Sequence, residues 1–243
     1  MLKMNMRFVM TLTFLLLNGF VTADVYMKQK VTQPEAKDKK NIEQIQETWI
    51  TDTKVRTNTG DQSTIFDVGK NMLITIDHAK KKYTEIPLDF SIVSSDENQQ
   101  DTNDLPSFMQ KFVKMEVSVQ PTDEKKQIGE WNCQKYLQMV NMAMVTTESE
   151  IWASQDIHVN TEVYQKFSAA LMASQPGFYK ILQDMMKESE KIKGVVVLQK
   201  TASKVIGKTM ETMTELLEVK EVDAPADLFT VPAGYKKEKF KEE

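Results

Sequence analysis

The sequence is poor in the residues that build covalent cross-links and metal sites. Cys133 is the one cysteine, so the chain cannot form an internal disulfide. Because Cys133 lies among apolar residues of a predicted strand, we expect a small buried side chain rather than a reactive thiol. The only histidines are His78 and His158, which are far apart in the sequence. A zinc site built from histidine and cysteine is therefore not expected, and no cofactor is predicted.

Glycine is also scarce, with 8 glycines among 243 residues. The sequence contains no G-x-S-x-G nucleophile elbow, no G-x-G-x-x-G fingerprint and no G-x-x-x-x-G-K-[ST] phosphate-binding loop. Two catalytic hypotheses stay open. In the first, Glu148 and Glu150, which lie on one face of a predicted strand, form a carboxylate pair; the alternative is that they are solvent-facing acids. In the second, a Ser-His-Asp triad forms around His78 or His158. We predict that the protein is not an enzyme.

An excess of positive charge is missing as well. The chain has 31 lysines and arginines against 35 acidic residues, which gives a formal net charge of −4. Its lysine clusters, within residues 37–40, 80–82 and 236–239, are interleaved with acids or fall in predicted turns and the tail, and are typical of a solvated surface. Nucleic acid is therefore not a predicted partner, since it requires a concentrated basic surface.

The longest apolar run lies at the N-terminus. Lys3 and Arg7 precede an apolar block over residues 8–20, and the small residue Ala23 follows shortly after it. The block is too short to cross a bilayer comfortably and is typical of a secretory signal peptide. We predict a signal peptide over residues 1–23, cleaved after Ala23, and a soluble exported protein. A permanent membrane anchor is the alternative.

Alternation of apolar and polar residues dominates the remainder of the chain. Residues 127–159 alternate in two runs around a turn near Asn141, which predicts a long antiparallel hairpin in the middle of a curved sheet. The other strands predicted from this spacing, from β-branched residues and from turn residues are 24–33, 42–53, 54–59, 63–68, 72–77, 82–86, 115–120, 194–200, 205–222 and 228–231.

Helical spacing occurs in three shorter stretches. Asp104 and Asn160 are predicted to cap the first two helices, and the third follows Pro176 and Gly177. Amphipathic helices flanked by a sheet cover one of its faces. The predicted fold class is therefore α+β: a strongly curved antiparallel sheet of about 8–11 strands, with two or three helices on its concave side. One domain over residues 24–235 and a frayed charged tail over 236–243 complete this organisation.

Several of these segments resemble a known superfamily. The stretches W-I-T-D-T-K-V-R (49–56), I-F-D-V-G-K-N-M-L-I-T-I-D (65–77) and K-K-Y-T-E-I (81–86) resemble consecutive strands of the outer-membrane lipoprotein carrier (LolA/LolB-like) superfamily. The resemblance implies an unclosed antiparallel half-barrel whose apolar concave face, closed by helices, holds acyl chains. In those carriers an arginine directly after the tryptophan strand latches the lid. Here Thr51 and Asp52 stand at that place and Arg56 follows later, so the latch is not transferred.

Three later segments narrow the resemblance. I-G-E-W-N-C-Q-K-Y (128–136), S-E-I-W-A-S-Q-D-I (149–157) and L-F-T-V-P-A-G-Y-K (228–236) are similar to an uncharacterised family of bacterial periplasmic proteins with that fold. This resemblance covers most of residues 24–240 and implies a periplasmic location. It implies no reaction, because the family has none established.

Methionine is unusually frequent, with 16 residues. Its unbranched, polarisable side chain suits a cavity for ligands of irregular shape, but it equally fills a core, and the pairs Met142/Met144 and Met210/Met213 formally allow Cu(I) coordination. The predicted function is binding or shuttling of a lipid-like or acylated hydrophobic ligand, with transient contacts to membrane or envelope proteins. The alternative is an envelope interaction protein with a self-filled core. The candidate lining residues are Trp49, Trp131, Phe167, Leu171, Phe178, Leu182, Met185 and Met186.

Overall fold

A computed structural model describes most of the chain beyond the predicted signal peptide. It covers residues 24–34, 41–88, 115–142, 145–160, 187–205 and 208–239, together with the helical residues 162–164, 166, 167 and 170. The predicted signal peptide, the predicted helix after Asp104 and almost all of the predicted helix after Pro176 lie outside the described residues.

Within the described residues, twelve strands form a single sheet. In chain order they are β1 (Val25–Pro34), β2 (Asn41–Ile50), β3 (Lys54–Thr59), β4 (Gln62–Asp67), β5 (Met72–Asp77), β6 (Lys82–Pro87), β7 (Met115–Ile128), β8 (Trp131–Met142), β9 (Val145–Ser154), β10 (Val195–Val205), β11 (Lys208–Glu221) and β12 (Lys236–Glu238). Their order across the sheet is β12-β6-β5-β4-β3-β2-β1-β11-β10-β9-β8-β7.

Two antiparallel meanders meet at the centre of this sheet. Strands β1 to β6 form the first and β7 to β11 the second, and they join where β1 pairs with β11. The predicted hairpin exists as β8 and β9, but its predicted place in the middle of the sheet is wrong, because only β7 separates it from an edge. The centre is instead a pairing of strands from opposite ends of the chain, which no local pattern specifies.

The predicted α+β class is wrong as well. Strands account for 67% of the described residues and helices for 8%, and these residues form one large open curved sheet rather than a sheet with helices covering its face. The physical reason is strand length: β7 and β11 each run for 14 residues and β8 for 12. A sheet of this many strands curls because each strand is twisted relative to the next, so the sheet covers much of its own apolar surface.

The main hydrophobic core begins as one row of side chains across the first meander. The strand register places six apolar residues side by side, one on each of β1 to β6: Val25, Ile50, Val55, Phe66, Leu73 and Ile86. All six are buried, and each contributes about 1.5–3 kcal/mol when removed from water. Helical residues Val163, Phe167 and Ala170 pack on this row, with the Phe167 ring 6.3 Å from the Phe66 ring.

The next row on the same face is made largely of threonine. Following the register from Met27 on β1, it consists of Thr48, Thr57, Thr64, Thr75 and Thr84. Thr48 is buried and its hydroxyl lies 3.2 Å from that of Thr57. Threonine combines a β-branched shape with a hydroxyl, so it suits a strand at the margin between core and solvent. On β2 to β6, the row beside the buried apolar one is therefore polar, whereas on β1 the buried apolar face continues to Met27.

The opposite face of the first meander is covered by the C-terminal segment, residues 222–239. This face carries Ile65 and Ile76, which are 1% and 0% exposed. The segment is attached at its start by Val222 N–H, which donates to the Asp24 carbonyl at 2.9 Å, and at its end by β12, which pairs in parallel with β6. The strand predicted over 228–231 is wrong, since those residues form turns, whereas residues 236–238 of the predicted tail are β12.

The second meander has its own smaller core. Val119, Tyr136, Ile151 and Ala153 are buried together there, and the register of β10 shifts between Val196 and Leu198. Gly194, just before β10, has φ +93°, and a Cβ at that position would lie 2.0 Å from the Ser154 carbonyl oxygen. Only glycine allows this close approach of the two backbones, because it has no side chain and adopts positive φ freely.

Candidate ligand-binding groove

A groove of about 960 Å³ lies along one face of the second meander and the adjoining end of β1. Two rows of side chains, set by the strand register, form its floor. The first row runs across six strands as Gln120, Leu137, Glu150, Lys200, Met213 and Thr32. The second row runs parallel to it as Ser118, Met139, Glu148, Ala202 and Glu211.

The apolar part of the floor is solvent-exposed. Leu137 and Met139 stand two residues apart on β8 and are 45% and 43% exposed, and Met213 lies across the groove on β11. On most strands of this protein the apolar residues turn toward a core, so adjacent exposed apolar side chains in a concave surface are unusual. Such surfaces mark sites for ligands or partners, because water leaves them at a gain in free energy.

The acids of the groove are largely neutralised by lysines. Glu148 pairs with Lys204 at 3.1 Å, and Glu150 pairs with Lys135 at 3.2 Å. The predicted placement of Glu148 and Glu150 on one face is confirmed by their shared presence in the floor. A hydrogen bond from Trp152 Nε1 at 2.8 Å, together with Lys135, lowers the pKa of Glu150. A general acid in a carboxylate pair needs a raised pKa, so the lowered pKa of Glu150 is the opposite of what that role requires.

Two charged residues of the floor remain available to a ligand. Lys200 faces Glu150 across the strands and contributes to its lowered pKa, but forms no ion pair within the described part of the chain. Glu211 likewise has no ion-pair partner among the residues that the structure describes. The groove thus combines an apolar strip with a lysine and a glutamate that form no ion pair with another described residue.

Three of the predicted lining residues lie away from this groove. Trp49 lies on the opposite face of β2 from the main core and stacks on Tyr26, with ring centroids 4.9 Å apart. Trp131 packs at the margin of the main core, and Phe167 lies inside it at 4% exposed. The other predicted lining residues lie outside the described residues, namely Leu171, Phe178, Leu182, Met185 and Met186.

The groove residues that sequence reasoning missed are the polar ones. Gln120, Lys200 and Glu211 lie on three different strands, and each one alone is an ordinary surface residue. The sequence pattern that could indicate the groove is the pair of apolar residues Leu137 and Met139 on the same side of a predicted strand. That signal does not reveal whether the side faces a core or solvent.

The two histidines lie in different surroundings, and neither completes a Ser-His-Asp triad in the described residues. His78 Nε2 lies 2.7 Å from Ser63 Oγ, but its Nδ1 lies 2.9 Å from the hydroxyl of Tyr235, where a triad needs an acid. Ser63 is 3% exposed and does not line the groove. His158 is exposed, and the described residues hold no cluster of three or more His, Cys, Asp or Glu side chains suited to a metal ion.

These observations define the class of protein: its fold is an open, curved, predominantly antiparallel sheet with an amphipathic groove on one face. The chain belongs to the domain of unknown function family DUF4412, whose model matches residues 10–235. No curated protein matches the sequence. Among the helices of the described residues, none has the length and apolar character needed to cross a bilayer.

Similar solved structures include a member of the superfamily that the sequence resembles. The LolA superfamily protein NE2245 from Nitrosomonas europaea is 8% identical, with 86% of this chain and 90% of that chain covered and a TM-score of 0.32. A DUF1329 family protein from Desulfovibrio piger ATCC 29098 is 6% identical, with the same coverage and a TM-score of 0.33. PNGF-II is 14% identical with a TM-score of 0.41; 89% of this chain is covered, but it spans only 31% of that protein. At these TM-scores the likenesses assign no ligand or activity to this chain.

Proposed function

We propose that this protein is an exported, periplasmic, non-enzymatic protein that binds or shuttles a lipid-like or acylated ligand in the groove of its second meander. The observation that carries the proposal is the exposed apolar strip of Leu137 and Met139 in a concave surface of about 960 Å³. That volume lies at the upper end of the range of roughly 300–1,000 Å³ in which small ligands bind proteins.

The affinity for such a ligand comes mainly from its apolar chain. Each buried methylene contributes about 0.8 kcal/mol, so half of a long acyl chain laid on this strip supplies several kcal/mol without any specific polar contact. Lys200 and Glu211 then orient the polar end, since neither is paired with another described residue. A membrane or an acylated envelope protein is the partner that supplies or receives such a ligand.

A fluorescent fatty acid tests the groove directly. We expect cis-parinaric acid to bind the purified protein, and the double variant Leu137→Ser, Met139→Ser to weaken its Kd by about tenfold, equivalent to about 1.4 kcal/mol. The matched control is Leu217→Ser on β11, because Leu217 is similarly exposed at 47% but does not line the groove. Equal loss of affinity in the control and the double variant would contradict binding in the groove.

The second candidate function is an envelope interaction protein whose interior is filled by its own side chains. One observation favours it: the main core is already closed, with Phe167, a predicted lining residue, packed against Phe66. Organic extraction followed by mass spectrometry separates the two candidates. Reproducible lipid in the purified protein, lost in the double variant, supports the carrier. Protein without lipid that also fails to bind cis-parinaric acid supports the second candidate.

Export is tested on the protein produced with its full N-terminus in a Gram-negative host. We expect the intact mass of the periplasmic form to correspond to a chain that begins at Asp24, as signal peptidase cleavage after Ala23 requires. A mass that retains residues 1–23 in a membrane fraction would support the anchor instead.

A further inference from the structure

The groove has a polar end that surrounds Met213 on β11. Lys200 on β10 and Thr32 on β1 lie opposite Met213 on its two sides, and Glu211 stands two residues before it on the same strand. All four side chains line the groove, and the two-residue period of a strand places them on one face. Three different polar groups, an ammonium, a carboxylate and a hydroxyl, therefore lie close together at this end of the floor.

The polar end holds one positive and one negative charge that are not paired with each other or with another described residue. Lys200 and Glu211 occupy diagonal positions on neighbouring strands, roughly 7–8 Å apart. Glu148 and Glu150, the other acids of the floor, are instead each paired with a lysine. A head group with only a negative charge would satisfy Lys200 but be repelled by Glu211, whereas a zwitterion satisfies both.

Thr32 adds a hydroxyl that lacks a hydrogen-bond partner. Its Oγ1 is buried, yet it makes no hydrogen bond to any residue that the structure describes. Most buried polar groups in proteins are paired, so a buried hydroxyl without a partner requires an explanation. Because Thr32 lines the groove, rotation about its Cα–Cβ bond can turn the hydroxyl toward a ligand, which then supplies the missing partner.

The apolar end of the groove is three strands away. Leu137 and Met139 lie on β8, and two strands, β9 and β10, separate β8 from β11. At about 4.8 Å per strand, the two ends are about 14 Å apart. A ligand that reaches both ends is therefore an amphiphile with an extended apolar chain.

We propose that the groove takes a zwitterionic lipid whose head group carries a primary ammonium beside a phosphate, as phosphoethanolamine does. This inference rests on the proposed function and specifies the ligand of the same site. Lys200 binds the phosphate by a charge-assisted hydrogen bond, and the Glu211 carboxylate accepts an N–H of the ammonium. Thr32, diagonal to Glu211 on the side away from Lys200, accepts a second N–H. The acyl chain lies on Leu137 and Met139.

Hydrogen bonding favours a primary ammonium over the quaternary ammonium of choline. A primary ammonium has three N–H donors, which suit the carboxylate of Glu211 and the hydroxyl of Thr32 as acceptors. The quaternary group has the same charge but no N–H, so it would leave the Thr32 hydroxyl without a partner. Ethanolamine and choline lipids therefore differ in hydrogen bonding while their net charge is equal.

Competition with cis-parinaric acid measures this preference on the purified protein. Three lysophospholipids with the same myristoyl chain and with ethanolamine, choline or glycerol head groups are compared below their micelle concentrations. We expect the ethanolamine lipid to displace the probe with a Kd about tenfold lower than that of either other lipid. The choline lipid lacks the N–H donors, and the glycerol lipid lacks the cation.

Two variants of the charged residues have different signatures. Glu211→Gln should raise the Kd of the ethanolamine lipid about tenfold without weakening the glycerol lipid, so that the preference disappears. Lys200→Met should weaken all three lipids by about fivefold, because all of them carry the phosphate. The matched controls are Glu221→Gln and Lys208→Met, which change exposed residues of β11 outside the groove and should leave all three Kd values unchanged.

Thr32→Val removes the hydroxyl and keeps the shape of the side chain. It should weaken the ethanolamine lipid about threefold while the Tm stays the same or rises, because the hydroxyl has no partner in the unliganded protein. A lower Tm together with unchanged binding would show that Thr32 acts in the fold rather than in the site.

The outcomes separate this inference from the proposed function. Equal Kd values for the three lipids, or a preference that persists in Glu211→Gln, would overturn the head-group assignment and leave binding of an acylated ligand intact. If neither cis-parinaric acid nor any of the lipids binds, the proposed function fails and this inference fails with it.

Discussion

The strands of both meanders alternate apolar and polar residues, but the two meanders differ in whether the apolar side chains are buried. In the first, strands β3 to β6 are six residues long; Val163, Phe167 and Ala170 pack on part of one face, and the C-terminal segment is attached along the other. In the second, strands of 10 to 14 residues extend beyond their small core and expose Leu137 and Met139 in a groove. The first meander builds stability, and the second provides an open surface.

The difference shows that burial depends on what covers a strand rather than on its pattern. Phe66 and Leu137 both occupy apolar positions of alternating strands, yet Phe66 is 0% exposed and Leu137 is 45% exposed. Phe66 has Phe167 above it, whereas Leu137 faces the groove. Paired substitutions, one in each meander or two on the groove floor, measure this difference in burial.

The largest expected effect is on the core row. Phe66→Ala should lower the free energy of unfolding by about 3–5 kcal/mol, because it opens a cavity in a closed core. Leu137→Ala should change it by no more than about 0.5 kcal/mol, because the side chain is already half in solvent. Urea unfolding followed by tryptophan fluorescence gives both values. If the two variants lost similar amounts of stability, the groove would be part of a core and the contrast would fail.

Much of the sheet could be predicted from local sequence. The bounds of β3 and β5 were predicted to the residue, and the hairpin of β8 and β9 lies within the predicted residues 127–159, because alternation and turn residues agree there. The pairing of β1 with β11 could not be predicted, since the two strands are separated by most of the chain. The fold class failed for a related reason: local spacing does not reveal that strands from both halves of the chain join in one large open sheet.

The candidate site was less predictable than the fold. The shared face of Glu148 and Glu150 follows from the two-residue period of a strand and was predicted correctly. The groove itself requires the registers of five consecutive pairings, each of which places one residue of a row beside the next. Trp49 shows that residue type alone does not identify a lining residue. A large aromatic residue on a strand can also pack on the face away from the main core, where Trp49 stacks on Tyr26.

The next effect concerns the backbone of the second meander. Gly194→Ala should destabilise the protein by about 2–4 kcal/mol, since a Cβ would lie 2.0 Å from a backbone oxygen and the residue has φ +93°. Gly60→Ala, in the turn between β3 and β4, is the matched control with φ +56° and no atom within 4 Å of the added Cβ. It should cost only the left-handed conformation, about 1 kcal/mol. Thermal unfolding compares the two, and equal losses would mean that β9 and the start of β10 move apart easily.

The smallest effect tests the electrostatics of the groove through pH. The pKa of Glu150 is lowered in the folded protein, chiefly by the hydrogen bond from Trp152 and also by Lys135. A lowered folded pKa means that the ionised carboxylate stabilises the fold above its unfolded pKa of about 4.3, and that this contribution is lost as the pH falls through the folded value. Glu150→Gln should therefore be less stable than the unmodified protein at neutral pH, by up to about 1 kcal/mol because the pair is partly solvated.

That deficit should shrink toward zero below about pH 4, as the carboxylate of the unmodified protein becomes protonated. Glu211→Gln is the control on the same floor: its carboxylate pairs with no other described residue, so it should change the free energy of unfolding at neutral pH by less than Glu150→Gln does. Chemical unfolding of the three proteins at several pH values gives the comparison. A deficit in Glu150→Gln that stayed constant or grew in acid would show that the loss comes from packing around Trp152, and the floor of the groove would then resemble the core of the first meander.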